Sequence, residues 1–515
     1  MTHNAYVLKN TLTNYLLVVL RVVQGILVTR WLFNSLGNEY YGFWSLMWTL
    51  LVYALLLDFG FSKAAQKYTA TGLFNSDPDS YNRYLSAVFS LLSLMATIIA
   101  SGCFIASYFL TALTRIDSPE QLAYCRLTLR VFGIGCALVF PTGIFPEILV
   151  GLRKIYLRNY VLAGTRITET LGIAVILSMG GSLLALAFFT VSLNLSTNFV
   201  MYALCRREIP SLRLRLRWDP TTLRELADFS GFIYLISICS LIIRKTDHLV
   251  LSIFAGLKAV GIYQLGGRLP DLCDNLATQY QENIAPLSAA LHASNQRQNL
   301  RDLIFFAMRF SSFMAAGGIS LAYIVCQDLI ALLFNVHDPD VIQACRWLLI
   351  NAAFTIAVRS VTDKFLMMSG RHRLLASLYI VEAVAHLLLS VLLTRRYGVV
   401  GVIFGTLIPN AALAIFILLP YIIRFVKHSP MTFLDKVYLR PAFAAALMAF
   451  TVLVARQYLT GSMPQLLQLV VVIALGGVVY CGVFLGVNPD DWQAVQEFFR
   501  QKLKIQNHPD TRTGR

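Results

Sequence analysis

The stretch Ser237-Ile238-Cys239-Ser240-Leu241-Ile242-Ile243-Arg244-Lys245-Thr246-Asp247-His248-Leu249-Val250-Leu251-Ser252-Ile253-Phe254 decides the fold, because it sets charge at helical spacing inside an apolar segment. Ser237, Ser240, Arg244 and Asp247 follow one another at steps of three, four and three. After a short break, Gln264, Arg268, Asp271, Asn275, Thr278 and Glu282 continue at alternating four and three. Each set lies along one face of a helix. An ionisable group in a membrane-spanning helix costs roughly 2.5–3.5 kcal/mol on insertion scales, so it faces a bundle interior or a wet cavity and marks a substrate or ion path. The pattern reads as a transporter lumen.

The rest of the chain supplies the membrane that this reading requires. Hydrophobic residues are 57% of 515 positions and charged residues 14%, and the mean hydropathy is +0.64. Apolar runs of bilayer length, about 20 residues each, fall near 12–33, 40–58, 83–110, 122–150, 157–178, 181–205 and 228–254. A second set lies near 259–287, 302–326, 341–361, 374–394, 397–426, 441–459 and 465–487. The expectation is an all-α membrane protein of about 14 transmembrane helices.

Orientation follows from the positive residues between those runs. With the N-terminus inside, 27 of the 43 Lys and Arg residues fall on cytoplasmic segments, including the dense set Arg206, Arg207, Arg213, Arg215, Arg217 and Arg224. The opposite loops hold five: Arg115, Lys258, Arg395, Arg396 and Arg456. Both termini are therefore expected in the cytoplasm. The net charge of +16 is then a matter of topology, and nucleic acid is not an expected partner. The first apolar run carries Arg21, Gln24 and Arg30 and lacks a small-residue cleavage site, so it reads as a retained helix rather than an export signal. The nine cysteines stand singly, with no C-x-x-C and no zinc-like histidine spacing. No metal, cofactor or disulfide is expected.

The chain repeats internally. Gly37 and Gly42, followed by Trp44 and Leu46, return as Gly256 and Gly261 with Tyr263 and Leu265, at a constant offset of 219 residues; the same offset carries Gly151 onto Gly370. It equates the first span with the seventh, and six spans is an even number, so the halves share an orientation about an axis along the membrane normal. The expected parts are a six-helix bundle over 1–206, a basic cytoplasmic linker over 207–227, a second six-helix bundle over 228–426, two added helices over 441–487, and a cytoplasmic amphipathic tail over 488–515. In that tail Trp492, Val495, Phe499 and Leu503 recur near helical steps, which suits a helix lying flat on the inner surface.

The segment Leu36-Gly37-Asn38-Glu39-Tyr40-Tyr41-Gly42-Phe43-Trp44-Ser45-Leu46, with Leu57-Asp58-Phe59-Gly60-Phe61-Ser62-Lys63-Ala64 after it, resembles the opening of bacterial polysaccharide flippases of the O-antigen type. These belong to the multidrug, oligosaccharidyl-lipid and polysaccharide exporter superfamily. Asp247-His248-Leu249-Val250-Leu251-Ser252-Ile253-Phe254-Ala255-Gly256, running on to Val260-Gly261-Ile262-Tyr263, is similar to that family's second-half signature. The resemblance implies a flippase of the bacterial inner membrane. Its cargo would be an undecaprenyl-diphosphate-linked oligosaccharide, moved from the cytoplasmic to the outer leaflet by alternating access. Membrane lipids would surround it, and a polysaccharide polymerase and a chain-length regulator would be its partners.

Arginine offers a fixed fork of donors suited to phosphate oxygens. Arg21, Gln24, Arg244, Lys245 and Arg268 are therefore the candidate substrate-binding residues. Arg244 with Asp247, and Arg268 with Asp271, stand three apart, and pairing within each helix is the competing structural reading. Arg166 with Glu169 reads most simply as such a pair. Arg126 and Arg130 read as side chains snorkelling to the interface. Glu382 and His386 stand four apart in an apolar helix, with Ser390 one turn on. A carboxylate beside an imidazole suits proton uptake near neutral pH, so Asp247, Asp271, Glu382 and His386 are the ion-coupling candidates. A neutral hydrogen-bonded pair joining helices is the alternative. Pro141, Pro146, Pro270, Pro286 and Pro409 mark places where spans can bend.

No phosphate-binding G-x-x-x-x-G-K-[ST], H-E-x-x-H or G-x-S-x-G motif occurs, so the chain is not expected to be an enzyme. A membrane glycosyltransferase or polymerase is the enzyme alternative, and it would want a longer outer loop with catalytic groups. A peptidoglycan-precursor flippase and a cation-coupled multidrug exporter of the same superfamily are the transporter alternatives. The exporter would want acidic rather than basic lumen residues.

Overall fold

A computed structural model describes residues 3–55, 61–70, 73–114, 116, 118–152, 154–216, 231–281, 296–368, 371–459 and 464–487. Every element among them is helical. Ten described segments are long and apolar enough to cross a membrane. Two of these cover two expected spans each. Helix α1 (His3–Leu55) is one continuous run except at Gly37, where φ is 75° and ψ 176°. The 54-residue segment Arg373–Val426 breaks in the same manner at Gly398, with φ 57° and ψ −128°. Only a residue without a Cβ takes such angles at low cost, so these glycines are the corners at which one apolar run becomes two. Large apolar side chains face outward along the helices, among them Phe188, Phe199, Phe416, Phe450 and Val478. Hydrocarbon rather than water is the solvent for such a surface.

The chain divides into two compact units. The first comprises Met1–Arg268, Ile330–Trp347 and His372–Pro409; the second comprises Leu269–Leu329, Leu348–Arg371 and Asn410–Arg515.

In the first unit the helices are α1, α2 (Pro78–Tyr108), α3 (Pro119–Val139), α4 (Ile155–Ser178), α5 (Leu183–Glu208), α6 (Gly231–Ala255) and α7 (Leu257–Gly266). Helix α1 packs on α4 and α7, α2 on α3, and α5 on both α3 and α4. Tyr81, Leu85, Val88, Leu92, Ile144, Ile148, Leu149 and Met201 pack together as a buried core within this set. Asp77, Ser118 and Ser182 cap α2, α3 and α5 by accepting from backbone N–H groups in the first turn, which satisfies donors the helix leaves open. Pro141 sits in a 3-10 turn over Phe140–Gly143, and the chain resumes as a helix containing Pro146. Arg130 does not reach out alone: its guanidinium lies 4.8 Å from the Phe104 ring centre and 5.0 Å from that of Tyr108, and its Nε donates to Ser107 Oγ at 2.8 Å.

The internal repeat is physical. Gly256 has φ 85° and ψ 174°, nearly the angles of Gly37, and each glycine is followed by a helix. A Cβ on Gly42 would lie 2.1 Å from the carbonyl oxygen of Leu257, and one on Gly261 would lie 2.5 Å from that of Asn38. Adding the 219-residue offset to Gly42 and Asn38 gives Gly261 and Leu257, so each contact is the image of the other. Two copies of the same corner cross face to face, as small residues allow in a membrane.

The second unit contains α8 (Arg268–Gln281), α9 (Arg297–Met314), α10 (Ser320–Phe334), α11 (Pro339–Phe354) and α12 (Ser360–Met368). Helix α13 (His372–Ala412) belongs to the first unit as far as Pro409, and the second unit ends with α14 (Arg440–Leu459) and α15 (Gln465–Val487). Some of these helices begin or end across the unit boundary. Among its described residues four π-helical segments, Ala315–Ile319, Thr355–Arg359, Leu413–Leu418 and Asp435–Leu439, interrupt it. The third follows Pro409, which lacks the N–H that an α-helix needs. Helix α14 packs on α15, and Arg456 holds it to α10 through the Asp328 carboxylate at 2.6 Å and the Ile324 carbonyl at 2.9 Å.

Pro270 lies in the first turn of α8. Glu282, Pro286, Arg217, Arg224 and the tail with Trp492, Val495, Phe499 and Leu503 lie outside the described residues.

Candidate functional site

Two glycine corners bring a set of buried polar groups together in the first unit. The Gly256 corner folds α7 back along α6, which places Tyr263 beside Asp247 and Gln264 beside His248. The Gly398 corner folds α13 on itself. There a Cβ on Gly401 would lie 2.3 Å from the Leu393 carbonyl oxygen, and one on Gly405 would lie 2.3 Å from Ser390 Oγ. The two arms of α13 therefore touch at backbone distance. Thr406, next after Gly405, reaches the face that carries His386 and Ser390.

Asp247 is the centre. Its Oδ2 accepts from the Tyr263 hydroxyl at 2.5 Å and from Thr406 Oγ1 at 3.0 Å. Its Oδ1 faces His386 Nε2 at 3.4 Å, both side chains being 1% exposed. On the other side of the imidazole, Nδ1 stands 3.4 Å from Ser390 Oγ. His248 Nε2 donates to Gln264 Oε1 at 2.5 Å, and the His248 and Tyr263 rings meet edge to face with centres 5.3 Å apart. Glu382, one turn before His386, is 2% exposed. A carboxylate and an imidazole held out of water in this way change the charge of a sealed site whenever a proton is gained or lost.

The sequence pointed to Glu382 and His386 on their shared helix. The structure adds Asp247 from α6 as a carboxylate facing His386. It also adds Tyr263 and Thr406, which the spacing had not marked as site residues. Spacing alone makes Arg244 a partner for Asp247; the hydrogen bonds of the carboxylate go instead to Tyr263 and Thr406. No periodic pattern within one helix could reveal a cluster assembled from three.

The basic candidates divide. Arg244 is exposed while Asp247, three residues on, is buried, and Lys245 is half-buried. Lys245 and Arg268 both act electrostatically on His248. Arg268, the last residue of the stretch Met1–Arg268 of the first unit, donates through Nη2 to the Tyr41 hydroxyl of the same unit at 3.3 Å. Asp271 is exposed. Arg21 is exposed on α1, and Gln24, one turn on, is buried. The Gln24 amide donates to Glu169 Oε2 at 2.8 Å and accepts from Arg166 Nη1 at 3.2 Å. The expected Arg166–Glu169 pair is present at 3.2 Å, and Gln24 is its third member.

A second polar network lies within the second unit. Arg359 donates to Asp363 Oδ2 and to Asn410 Oδ1, each at 3.2 Å. Asn410 donates in turn to Asn351 Oδ1 at 2.8 Å and Thr355 Oγ1 at 3.0 Å. Asn351, Thr355, Arg359 and Asp363 recur every four residues, a spacing visible in the sequence. Among the described residues no group of three or more His, Cys, Asp and Glu side chains is placed to hold a metal ion.

A family described as polysaccharide biosynthesis protein matches residues 36–336, more than half of the chain. A Salmonella typhi protein named as an O-antigen transporter is 24% identical over 402 residues, 76% of this chain and 90% of that one. Its Salmonella typhimurium counterpart is 24% identical over 416 residues, 76% and 91%. Among solved structures, the lipid II flippase MurJ in an inward closed conformation superposes with a TM-score of 0.71 at 15% identity, covering 93% of this chain and 99% of that one. An inward-facing multidrug resistance transporter superposes with a TM-score of 0.67 at 16% identity, covering 80% and 96%. The fold is thus that of these transporters. The chain belongs to the polysaccharide biosynthesis protein family and is a multi-pass membrane protein with the fold of transporters of the multidrug, oligosaccharidyl-lipid and polysaccharide exporter superfamily.

Proposed function

We propose that this protein is a flippase that carries an undecaprenyl-diphosphate-linked oligosaccharide from the cytoplasmic to the outer leaflet of the inner membrane. Its two six-helix halves, 1–206 and 228–426, alternate access to the cargo, and both termini lie in the cytoplasm. The cargo is then consumed by a polymerase and a chain-length regulator on the outer face. The observation that carries the reading is the sorting of charge along α6. The Asp247 carboxylate is buried and engaged by Tyr263, Thr406 and His386, whereas Arg244 is an exposed residue. The charge this helix leaves accessible is positive. That suits a diphosphate, which arginine binds through paired donors, better than a cationic drug. The Salmonella relatives named for O-antigen transport support the same class of cargo.

In this reading Arg21, Arg244, Lys245 and Arg268 hold the diphosphate end. The Asp247–His386 pair, with Glu382 beside it, is the coupling site where a proton enters and leaves during the cycle; Asp271, exposed on α8, is a secondary ion-coupling candidate. Gln24 acts indirectly, by fixing the Arg166–Glu169 pair next to Arg21.

Purified protein in vesicles, supplied with a fluorescent lipid-linked oligosaccharide, tests the proposal. Arg21→Ala and Arg244→Ala are expected to lower the flipping rate at least about ten-fold, the loss of one charge-assisted hydrogen bond or more, with unchanged elution from a sizing column. Wild-type rates in both variants would overturn it.

A further inference from the structure

Three helix corners in the first unit meet at an open cleft of about 690 Å³: the Gly37 corner of α1, the start of α3 and the start of α5. Its volume lies within the range of small-molecule sites, about 300–1,000 Å³. Tyr40 and Tyr124 line it as an edge-to-face pair with ring centres 5.9 Å apart. Glu120, Gln121 and Ser35 line it too, and Gln121 Nε2 donates to Glu39 Oε2 at 3.1 Å. Among its described lining residues none is Lys or Arg.

Each wall is fixed by local structure. Ser118 and Ser182 cap the two incoming helices. The Tyr124 hydroxyl accepts from the Leu184 N–H at 3.0 Å, which holds the ring between α3 and α5 and leaves its own O–H to donate. Carboxylates accept, an amide both donates and accepts, and hydroxyls do both. Paired aromatic rings add rigid apolar surface beside them. That combination matches a ligand whose faces are apolar C–H and whose edges are hydroxyl, namely a saccharide. It does not match a phosphate, for which the cleft has no cation among those residues.

We propose that this cleft binds the sugar portion of the cargo, as a site separate from the basic groups that hold its anionic end. The assignment to cargo rests on the flippase reading above. The corners that form the cleft are the connections after the first, third and fifth spans. They lie opposite the basic segments near 61–70, 151–154 and 206–216, which makes the cleft an outer-face feature by the distribution of positive charge. A glycan emerging on that side meets hydroxyl-compatible groups while its diphosphate is still within the protein.

The test uses full-length protein in lipid nanodiscs, where both faces are open to solvent, and two probes. One is the repeat-unit oligosaccharide released from its carrier by mild acid. The other is undecaprenyl diphosphate bearing no sugar. Saturation-transfer-difference NMR is expected to show the free oligosaccharide bound to the wild type, and the double variant Glu120→Gln with Gln121→Ala is expected to weaken it at least about ten-fold. Tyr40→Ala, which removes only one wall of the cleft, serves as the second variant should the double variant fold poorly, and is expected to weaken the oligosaccharide in the same way. Binding of undecaprenyl diphosphate stays at wild-type strength throughout. No signal from the free oligosaccharide, or equal signals in wild type and variants, overturns the cleft and leaves the flippase reading intact. Failure of undecaprenyl diphosphate to bind counts against the flippase reading alone.

Discussion

His386 Nε2 lies 3.4 Å from Asp247 Oδ1, with both side chains 1% exposed. The two residues come from α13 and α6, and the carboxylate is further held by Tyr263 and Thr406. Glu382 stands one turn from the imidazole, and His248 one residue from the carboxylate, with Lys245 and Arg268 acting on it. A proton gained or lost by this buried pair changes the charge of the site. Transport by the wild type is therefore expected to vary with pH. Asp247→Asn and His386→Gln are each expected to flatten the profile while leaving the protein folded. Rate measurements in vesicles with the external pH stepped decide the matter, and a retained wild-type profile in both variants would make the pair a packing contact only.

Gly42 and Gly261 are predicted to be among the least replaceable positions. An added Cβ meets backbone oxygen at 2.1 and 2.5 Å, and backbone cannot swing aside as the end of a side chain can. Overpacking of this kind costs about 1–3 kcal/mol. Gly42→Ala and Gly261→Ala should each lower the unfolding temperature in detergent. Gly25→Ala, where nothing lies within 4 Å, should leave it unchanged.

Arg359 is 7% exposed and joins Asp363 to Asn410 at the π segment Thr355–Arg359. Removing one partner of a buried pair costs about 3–5 kcal/mol, so Arg359→Ala is expected to unfold or strongly destabilise the protein. Arg359→Lys keeps the charge but has no planar fork to serve both acceptors, and an intermediate loss is expected in the same thermal assay.

Glu169→Ala leaves the Gln24 amide and the Arg166 guanidinium without their shared acceptor. The expected loss is about 1–3 kcal/mol, read as a lower unfolding temperature. Glu169→Gln should recover part of it, because it retains an oxygen for Gln24 and Arg166. If Gln24 instead contacts cargo directly, Glu169→Ala will lower transport without moving the thermal midpoint.

The legible part of the site was the part written along one helix. The Arg166–Glu169 pair at a spacing of three, and the row Glu382, His386 and Ser390, could be read directly, because helical geometry alone puts such residues on one face. Tyr263 and Thr406 could not be read as ligands of Asp247. Each is an ordinary residue within its own helix, and only the corners at Gly256 and Gly398 bring them to the carboxylate. Gln24 shows the same limit: its position in a span is visible in the sequence, but its partners on α4 are not.

What the sequence by itself determined is the solvent and the element type: long apolar runs exclude water, a backbone in hydrocarbon must satisfy its own hydrogen bonds, and helices follow. It also determined the internal repeat, because the glycines at the corners have no substitute where φ is positive or where backbone meets backbone. What only the tertiary structure decided is the pairing of charges. Neutralising a buried charge needs a partner within a few ångströms, and such partners come from whichever helix the packing brings alongside, not from the neighbour three or four residues away.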